Sequence, residues 1–148
     1  MQISIRVANR QDLAALVNFN QSMALETENK KLDSDVLNKG VGALMADPNK
    51  GFYLVAEQNA QVVGSLMVTT EWSDWRNAVF WWIQSVYILP QNRRQGIYGL
   101  LYSKVKELAE QDGNVCGLRL YVEKENVIAQ RTYEALGMEQ SHYLMYEE

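Results

Sequence analysis

The chain predicts one α/β domain: a mixed, mostly antiparallel sheet of about six to seven strands, flanked by about four helices. Three observations carry that reading. The 148 residues suit a single domain, and a chain of this size buries about 70% of its unfolded surface. Apolar residues make up 47% and charged residues 22%, close to the globular average, so a packed core is expected rather than disorder. The spacing of apolar residues switches between period two and period 3.6 in the order β-α-α-β-β-β-α-β-α-β. Strand–helix–strand units in the second half imply parallel neighbours, whereas the hairpin-like middle implies antiparallel ones. The result is one mixed sheet with helices on both faces.

Residues 2–7 (QISIRV) alternate apolar and polar, which is a strand pattern. Asn9 then suits an N-cap, with Leu13, Leu16, Val17 and Met23 at helical spacing. The polar stretch 26–35 interrupts the pattern. A second helix carries Val36, Leu37, Val41, Leu44 and Met45 on one stripe and stops before Asp47-Pro48. Strands over 52–57 and 62–70 flank a turn at 58–61. A polar loop, 71–77, leads to the apolar run 78–89, too β-branched and aromatic for a helix and closed by Pro90. From Gly96 the period is helical again, with Ile97, Leu101, Val105 and Leu108 on one face as far as Asp112-Gly113. A strand over 117–122 follows. Asn126 caps a further helix bearing Ala129, Tyr133 and Leu136, with Gly137 at its C′ position. A last strand is expected over 140–146.

Composition removes several classes of function. The net charge is −4 and the pI near 5.1, whereas duplex-binding domains are usually basic, so no nucleic-acid partner is expected. No apolar run nears the roughly 20 residues of a membrane span, and the first residues lack the apolar stretch of a secretion signal, so no membrane partner is expected either. Cys116 is the only cysteine, which precludes an intrachain disulfide and suits a reducing cytoplasm. With His142 the only histidine, a zinc site of nitrogen and sulfur ligands is not expected, and no metal is assigned.

The most informative segment is 86–105, VYILPQNRRQGIYGLLYSKV. A strand ends at Pro90, a basic turn with glycine follows, and a helix begins near Gly96. The first four N–H groups of a helix lack intrahelical acceptors, and the macrodipole adds about half a positive charge there. Such a start binds phosphate, glycine lets the backbone approach the anion, and Arg93 and Arg94 add charge. The plainer reading is a solvated strand–helix connection. No Gly-Lys-Ser/Thr follows a four-residue gap, so a Walker A loop is absent, and Gly96 and Gly99 do not form G-x-G-x-x-G.

Arg93-Arg94-Gln95-Gly96-Ile97-Tyr98 resembles the acyl-CoA signature of the GCN5-related N-acetyltransferases, Arg/Gln-x-x-Gly-x-Gly/Ala, with Arg93 first and Gly96 on the glycine position. Downstream, residues 126–138 (NVIAQRTYEALGM) are similar to the same family's Asn-x-x-Ala-x-x-x-Tyr-x-x-x-Gly-Phe. The order of elements matches over nearly the whole chain, which implies the acyl-CoA N-acyltransferase fold with acetyl-CoA as cosubstrate. By this resemblance the strand splays at Tyr87, Ile88 and Leu89 and its backbone holds the pantetheine arm. The turn of Arg93, Arg94, Gln95, Gly96, Ile97, Tyr98 and Gly99 cradles the pyrophosphate, and Asn126 and Tyr133 stand by the thiol. Tyr98 departs from the small residue usual at its position; it must turn away from the phosphates or narrow the groove.

The implied reaction moves an acetyl group to a primary amine, a small cationic amine or a peptide amine, by direct attack in a ternary complex. An amine of pKa about 10.4 is neutral in about one molecule per 2,500 at pH 7, so deprotonation accounts for about 4.6 kcal/mol of barrier. Many family members place a glutamate on the strand before the proline. This chain has Gln84 there, which can hold a water but not take a proton, while Glu71 and Asp74 are the nearest carboxylates in sequence. A water relay is the preferred reading. Tyr133 is the general acid by resemblance; proton transfer to a thiolate is uphill by about 2 kcal/mol on ordinary pKa values, so hydrogen bonding to the thiolate is an alternative role. Glu26 and Glu28, between the first two helices, either bind a cationic acceptor or form a solvated loop. Trp72 and Trp75 either wall the acceptor site or serve packing. His142 reads as a half-exposed strand residue and Cys116 as a small apolar residue at a strand edge. The alternative function is an acyl-CoA-binding sensor without chemistry. A homodimer is compatible with the aromatic strand 78–89, which offers an interface.

Overall fold

The structure is a computed structural model that describes residues 2–148, with Met1 outside the described residues. Five strands form one sheet in the order β1 (Ser4–Val7), β2 (Phe52–Gln58), β3 (Gln61–Ser73), β4 (Ala78–Ile88) and β5 (Val115–Arg119). The first four are mutually antiparallel, and β5 joins β4 in parallel. The helices are α1 (Leu13–Glu28), α2 (Ser34–Ala46), α3 (Ile97–Asp112) and α4 (Val127–Ala135).

Alternation along β2 divides the core in two. Tyr53 and Val55 pack with Leu16 and Val17 of α1 and Val41 and Leu44 of α2. Leu54 and Ala56 face the other way, onto Ile97, Leu101 and Val105 of α3. Helices therefore cover both faces, as the mixed pattern implies. The entry to α1 is fixed by a capping box: Asn9 Oδ1 accepts from Gln11 N at 2.9 Å, and Asp12 Oδ2 accepts from Asn9 N at 2.8 Å. Arg6 on β1 grips Asp12 with two hydrogen bonds, at 2.8 and 3.0 Å, and reaches Glu57 on β2 at 2.9 Å.

β4 is not a simple alternating strand. Met67 pairs with Gln84 but Ser65 pairs with Tyr87, so two residues of β4 oppose one of β3. Ser85 has φ +53°, which marks a β-bulge. The bulge reverses the parity of the strand. Trp81 and Ile83 face α3 before it, Val86 and Ile88 face α3 after it, and Tyr87 swings to the α1 side.

Four expectations need correction. Five strands form among the described residues instead of six or seven, because 140–146 pairs with nothing and lies exposed, with His142 outside any strand. α1 runs on through Glu28, so Glu26 and Glu28 stand on its last turn and not in a loop. Thr27 Oγ1 donates to Met23 O at 2.8 Å, and Asn29 ends the helix in the left-handed region, which asparagine tolerates. β3 continues to Ser73, since Glu71 and Trp72 pair with Phe80 and Val79. Cys116, read as a small apolar residue at a strand edge, does stand on the outer strand β5 but is exposed there.

Candidate active site

β4 and β5 form a fork. Their ladder runs from Val79–Val115 to Trp82–Arg119 and stops, while β4 continues to Ile88 with no strand on that side. The close approach below the fork depends on Gly117, because a Cβ there would stand 2.9 Å from the Phe80 ring. Above it, no strand pairs with residues 83–88 on that side, and apart from Ile88 O, which accepts from Arg93, this is the kind of edge that an extended amide chain can join. The resemblance puts the splay at Tyr87, Ile88 and Leu89; strand pairing ends earlier, after Trp82.

β4 leads through a 3₁₀ turn, Pro90–Asn92, to the start of α3. Gly96 occupies the N-cap with φ +75°, no side chain caps the helix, and nothing lies within 4 Å of where its Cβ would be. Arg94 is also left-handed, with φ +64°. The first N–H groups of α3 therefore face open space beside a cation, which fits a pyrophosphate. Arg93 is already engaged: Nε donates to Ile88 O at 2.9 Å and its guanidinium pairs with Glu26 Oε1 at 2.8 Å. It also lies over the Tyr87 ring at 5.3 Å, and Tyr87 Oη donates to Glu26 Oε2. The hydrogen bonds from Tyr87 and Arg93 hold the Glu26 carboxyl below the usual carboxylate range. Gln95 makes only a long contact, 3.4 Å, to Gln91 O.

Tyr98 turns inward, away from the turn. Its ring stacks on Tyr102 at 6.1 Å and meets Tyr133 edge-on at 5.6 Å. Its hydroxyl is buried and finds no hydrogen-bond partner among the described residues. Burial, then the neighbouring Tyr133 and Tyr102, push its pKa far up. Tyr133 is half-buried on α4, and burial raises its pKa above 10 as well, so both phenols stay protonated at neutral pH. Asn126 Oδ1 accepts from Ala129 N at 3.1 Å and caps α4, as the sequence implies.

On the α1 side of the sheet, Gln84 Nε2 donates to Thr69 Oγ1 at 2.7 Å, and Oε1 accepts no hydrogen bond among the described residues. Glu71 reaches the crotch of the fork. Its Oε1 accepts from Trp82 Nε1 at 2.7 Å and from Arg119 at 3.1 Å, the two residues of the last β4–β5 pair. Arg119 in turn lies 3.6 Å over the Phe80 ring. Sequence reasoning missed Arg119 and Thr69. The adjacent polar pair Gln84-Ser85 inside an apolar run was the available sign of the bulge. Trp72 and Trp75 stand exposed at the far end of the β3–β4 hairpin, where Trp72 pairs with Val79, five residues along β4 from Gln84. Glu28 is exposed and does not join the cluster that Glu26 forms with Tyr87 and Arg93.

A strand fork running into an uncapped basic helix start defines a class of domain, one that lays a long phosphate-bearing acyl carrier along a strand edge. Residues 13–138 match the model of the Acetyltransferase (GNAT) family, and the chain belongs to that family as an acetyl-CoA-dependent N-acetyltransferase. It is similar to a crystal structure of a possible acetyltransferase from Clostridium difficile 630, 49% identical with a TM-score of 0.93 over 100% of this chain and 97% of that one. It is 26% identical to an uncharacterized N-acetyltransferase, YhfO, of Bacillus subtilis (strain 168), over 97% of each chain. A predicted acetyltransferase with acetyl-CoA from Clostridium acetobutylicum shares the fold at 17% identity, with a TM-score of 0.81 over 99% of this chain and 96% of that one. Among the described residues no helix is long and apolar enough to cross a membrane.

Proposed function

We propose that this acetyltransferase acylates a primary amine, either a small cationic amine or a peptide amine, by direct attack in a ternary complex. The observation that carries the proposal is a pair of acceptors at the fork with no partner among the described residues: Glu71 Oε2 and Gln84 Oε1 lie on one face of the sheet, beside the last β4–β5 pair. Acetyl-CoA supplies the thioester acyl group. The N–H groups of Gly96, Ile97, Tyr98 and Gly99, with Arg94, hold the diphosphate, and the free edge of β4 at Ile88 and its neighbours holds the arm. Gln84 orients a water that passes the ammonium proton to Glu71. As the amine nitrogen bonds to the acyl carbon and the C–S bond breaks, Tyr133, kept protonated by burial, hydrogen-bonds to or protonates the departing sulfur. Glu26, at the end of α1, ties Arg93 and Tyr87 together beside the turn, its charge balanced by the Arg93 guanidinium.

The test is calorimetric titration with acetyl-CoA, followed by a panel of amines scored by thiol release. Micromolar binding that Gly96→Asp abolishes supports the turn, since aspartate there strains the left-handed backbone and repels phosphate. Thiol release that depends on the amine and falls sharply in Glu71→Gln supports the relay. Full activity in Glu71→Gln would remove Glu71 from the mechanism.

A further inference from the structure

The turn that joins β4 to α3 contains a strained residue. Arg94 has φ +64°, and Gly96 two residues on has φ +75°. Glycine adopts that region freely, whereas a residue with a Cβ stays there only when its surroundings hold it. Before Arg94 the chain is held at three points. Leu89 N donates to Val63 O at 2.9 Å, the buried Asn92 donates through Nδ2 to Gln58 Oε1 at 3.0 Å, and Arg93 is tied by its side chain. After Arg94 the hold is weak: Gln95 reaches Gln91 O only at 3.4 Å, and no side chain caps α3.

Arg93 is thus the tie next to the strained position. Leu89 N points to β3, so Ile88 O, on the same trans peptide, points to the open edge of β4, where Arg93 Nε donates to it at 2.9 Å. The second bond of Arg93 is the 2.8 Å pair with Glu26 Oε1, on the last turn of α1 and 67 residues away in the chain. Glu26 is fixed in turn by the Tyr87 hydroxyl, and the Tyr87 ring packs on Phe19 of α1 at 5.4 Å. The Arg93 and Glu26 side chains are 43% and 38% exposed, and an ion pair so exposed contributes little to global stability. Its effect is local, because it orders the side chain that adjoins Arg94.

We propose that Glu26 is a positioning residue for acetyl-CoA: through Arg93 it holds the turn at 93–96, before the cosubstrate arrives, in the conformation that receives the diphosphate. The role rests on the diphosphate seat at the start of α3. A turn ordered in advance binds more tightly, because the ligand does not have to order it. Charge alone predicts the opposite. Glu26 is a carboxylate one ion pair away from a seat for an anion, so removing its charge should tighten the binding of a diphosphate. Positioning and charge therefore differ in sign.

Calorimetric titration of wild type and Glu26→Gln with acetyl-CoA, and with ADP as a diphosphate that lacks the arm, separates the two. The variant should bind both ligands about fivefold more weakly, with a thermal midpoint close to that of wild type. In a double-mutant cycle, Glu26→Gln added to Arg93→Gln should weaken binding no further, because Glu26 acts through Arg93. In steady-state kinetics the KM for acetyl-CoA should rise while the KM for the amine stays as it is. Equal or tighter binding of acetyl-CoA by Glu26→Gln, additive losses in the cycle, or a rise confined to the amine KM would each overturn the role of Glu26 and leave the diphosphate seat standing. A wild type that binds neither ligand would remove the seat itself, and the positioning role with it.

Discussion

Replacing Tyr98 with phenylalanine should stabilise the ligand-free protein. The ring sits among Tyr102 and Tyr133, where phenylalanine fits the same volume, so the packing term is nearly unchanged. What changes is the hydroxyl, buried without a partner among the described residues. An unsatisfied buried polar group costs about 1–3 kcal/mol, so its removal should raise stability by about 1 kcal/mol or more. For a domain of this length, that corresponds to about 3 °C in Tm. The assay is paired urea and thermal unfolding of wild type and Tyr98→Phe, read by far-UV circular dichroism, which the substitution leaves unchanged in the folded state. The two curves should share their m-value, because the surface exposed on unfolding is the same. A variant less stable than wild type by about 1 kcal/mol would show that the hydroxyl makes a hydrogen bond in the free protein, and the reasoning would fail.

Tyr133→Phe should lower kcat by about a hundredfold while leaving the acetyl-CoA dissociation constant unchanged, as measured by steady-state kinetics and calorimetry. Because burial raises the Tyr133 pKa, wild-type kcat should show no alkaline fall assignable to this group below pH 10, which a pH–rate profile checks. Asp12→Ala should destabilise by about 2 kcal/mol at pH 7, less than for a fully buried pair because Arg6 is one-third exposed. The hydrogen bond from Arg6 lowers the Asp12 pKa, so this stability is complete above the ordinary carboxylate pKa and is lost as pH falls through the lowered one. Urea titrations at pH 7 and pH 3 should therefore show the gap between variant and wild type shrinking in acid.

The four helices were legible because each carries an apolar stripe at period 3.6, and three of them also carry a start signal: Asn9 on the turn before α1, Gly96 at α3 and Asn126 at α4. The start of α3 was legible for the same reason, since Gly96 takes the left-handed N-cap position that the change of period at that point implies. The polar run around Glu71 reads as a loop, although cross-strand pairing with Phe80 holds Glu71 in β3. The partners that define its role, Trp82 and Arg119, lie 11 and 48 residues away, beyond any local pattern. The strand expected at 140–146 finds no neighbour among the described residues, and a strand without a partner has no ladder to satisfy its backbone.

The bulge at Ser85 acts as a reading frame within the strand. The side of the sheet on which Tyr87 emerges is set by the one extra residue that the bulge absorbs. A β4 that kept every residue but lost the bulge would alternate regularly from Trp81 and Ile83, turning Tyr87 toward α3 and Val86 toward Glu26. The link from β4 through Glu26 to Arg93 would disappear with no change in any of the linked residues. Deleting Ser85 removes the extra residue together with the bulge, so Val86 follows Gln84 and Tyr87 keeps its side of the sheet. A one-residue deletion at 85 should accordingly leave Tyr87 beside Glu26, whereas a substitution that straightens the strand should not.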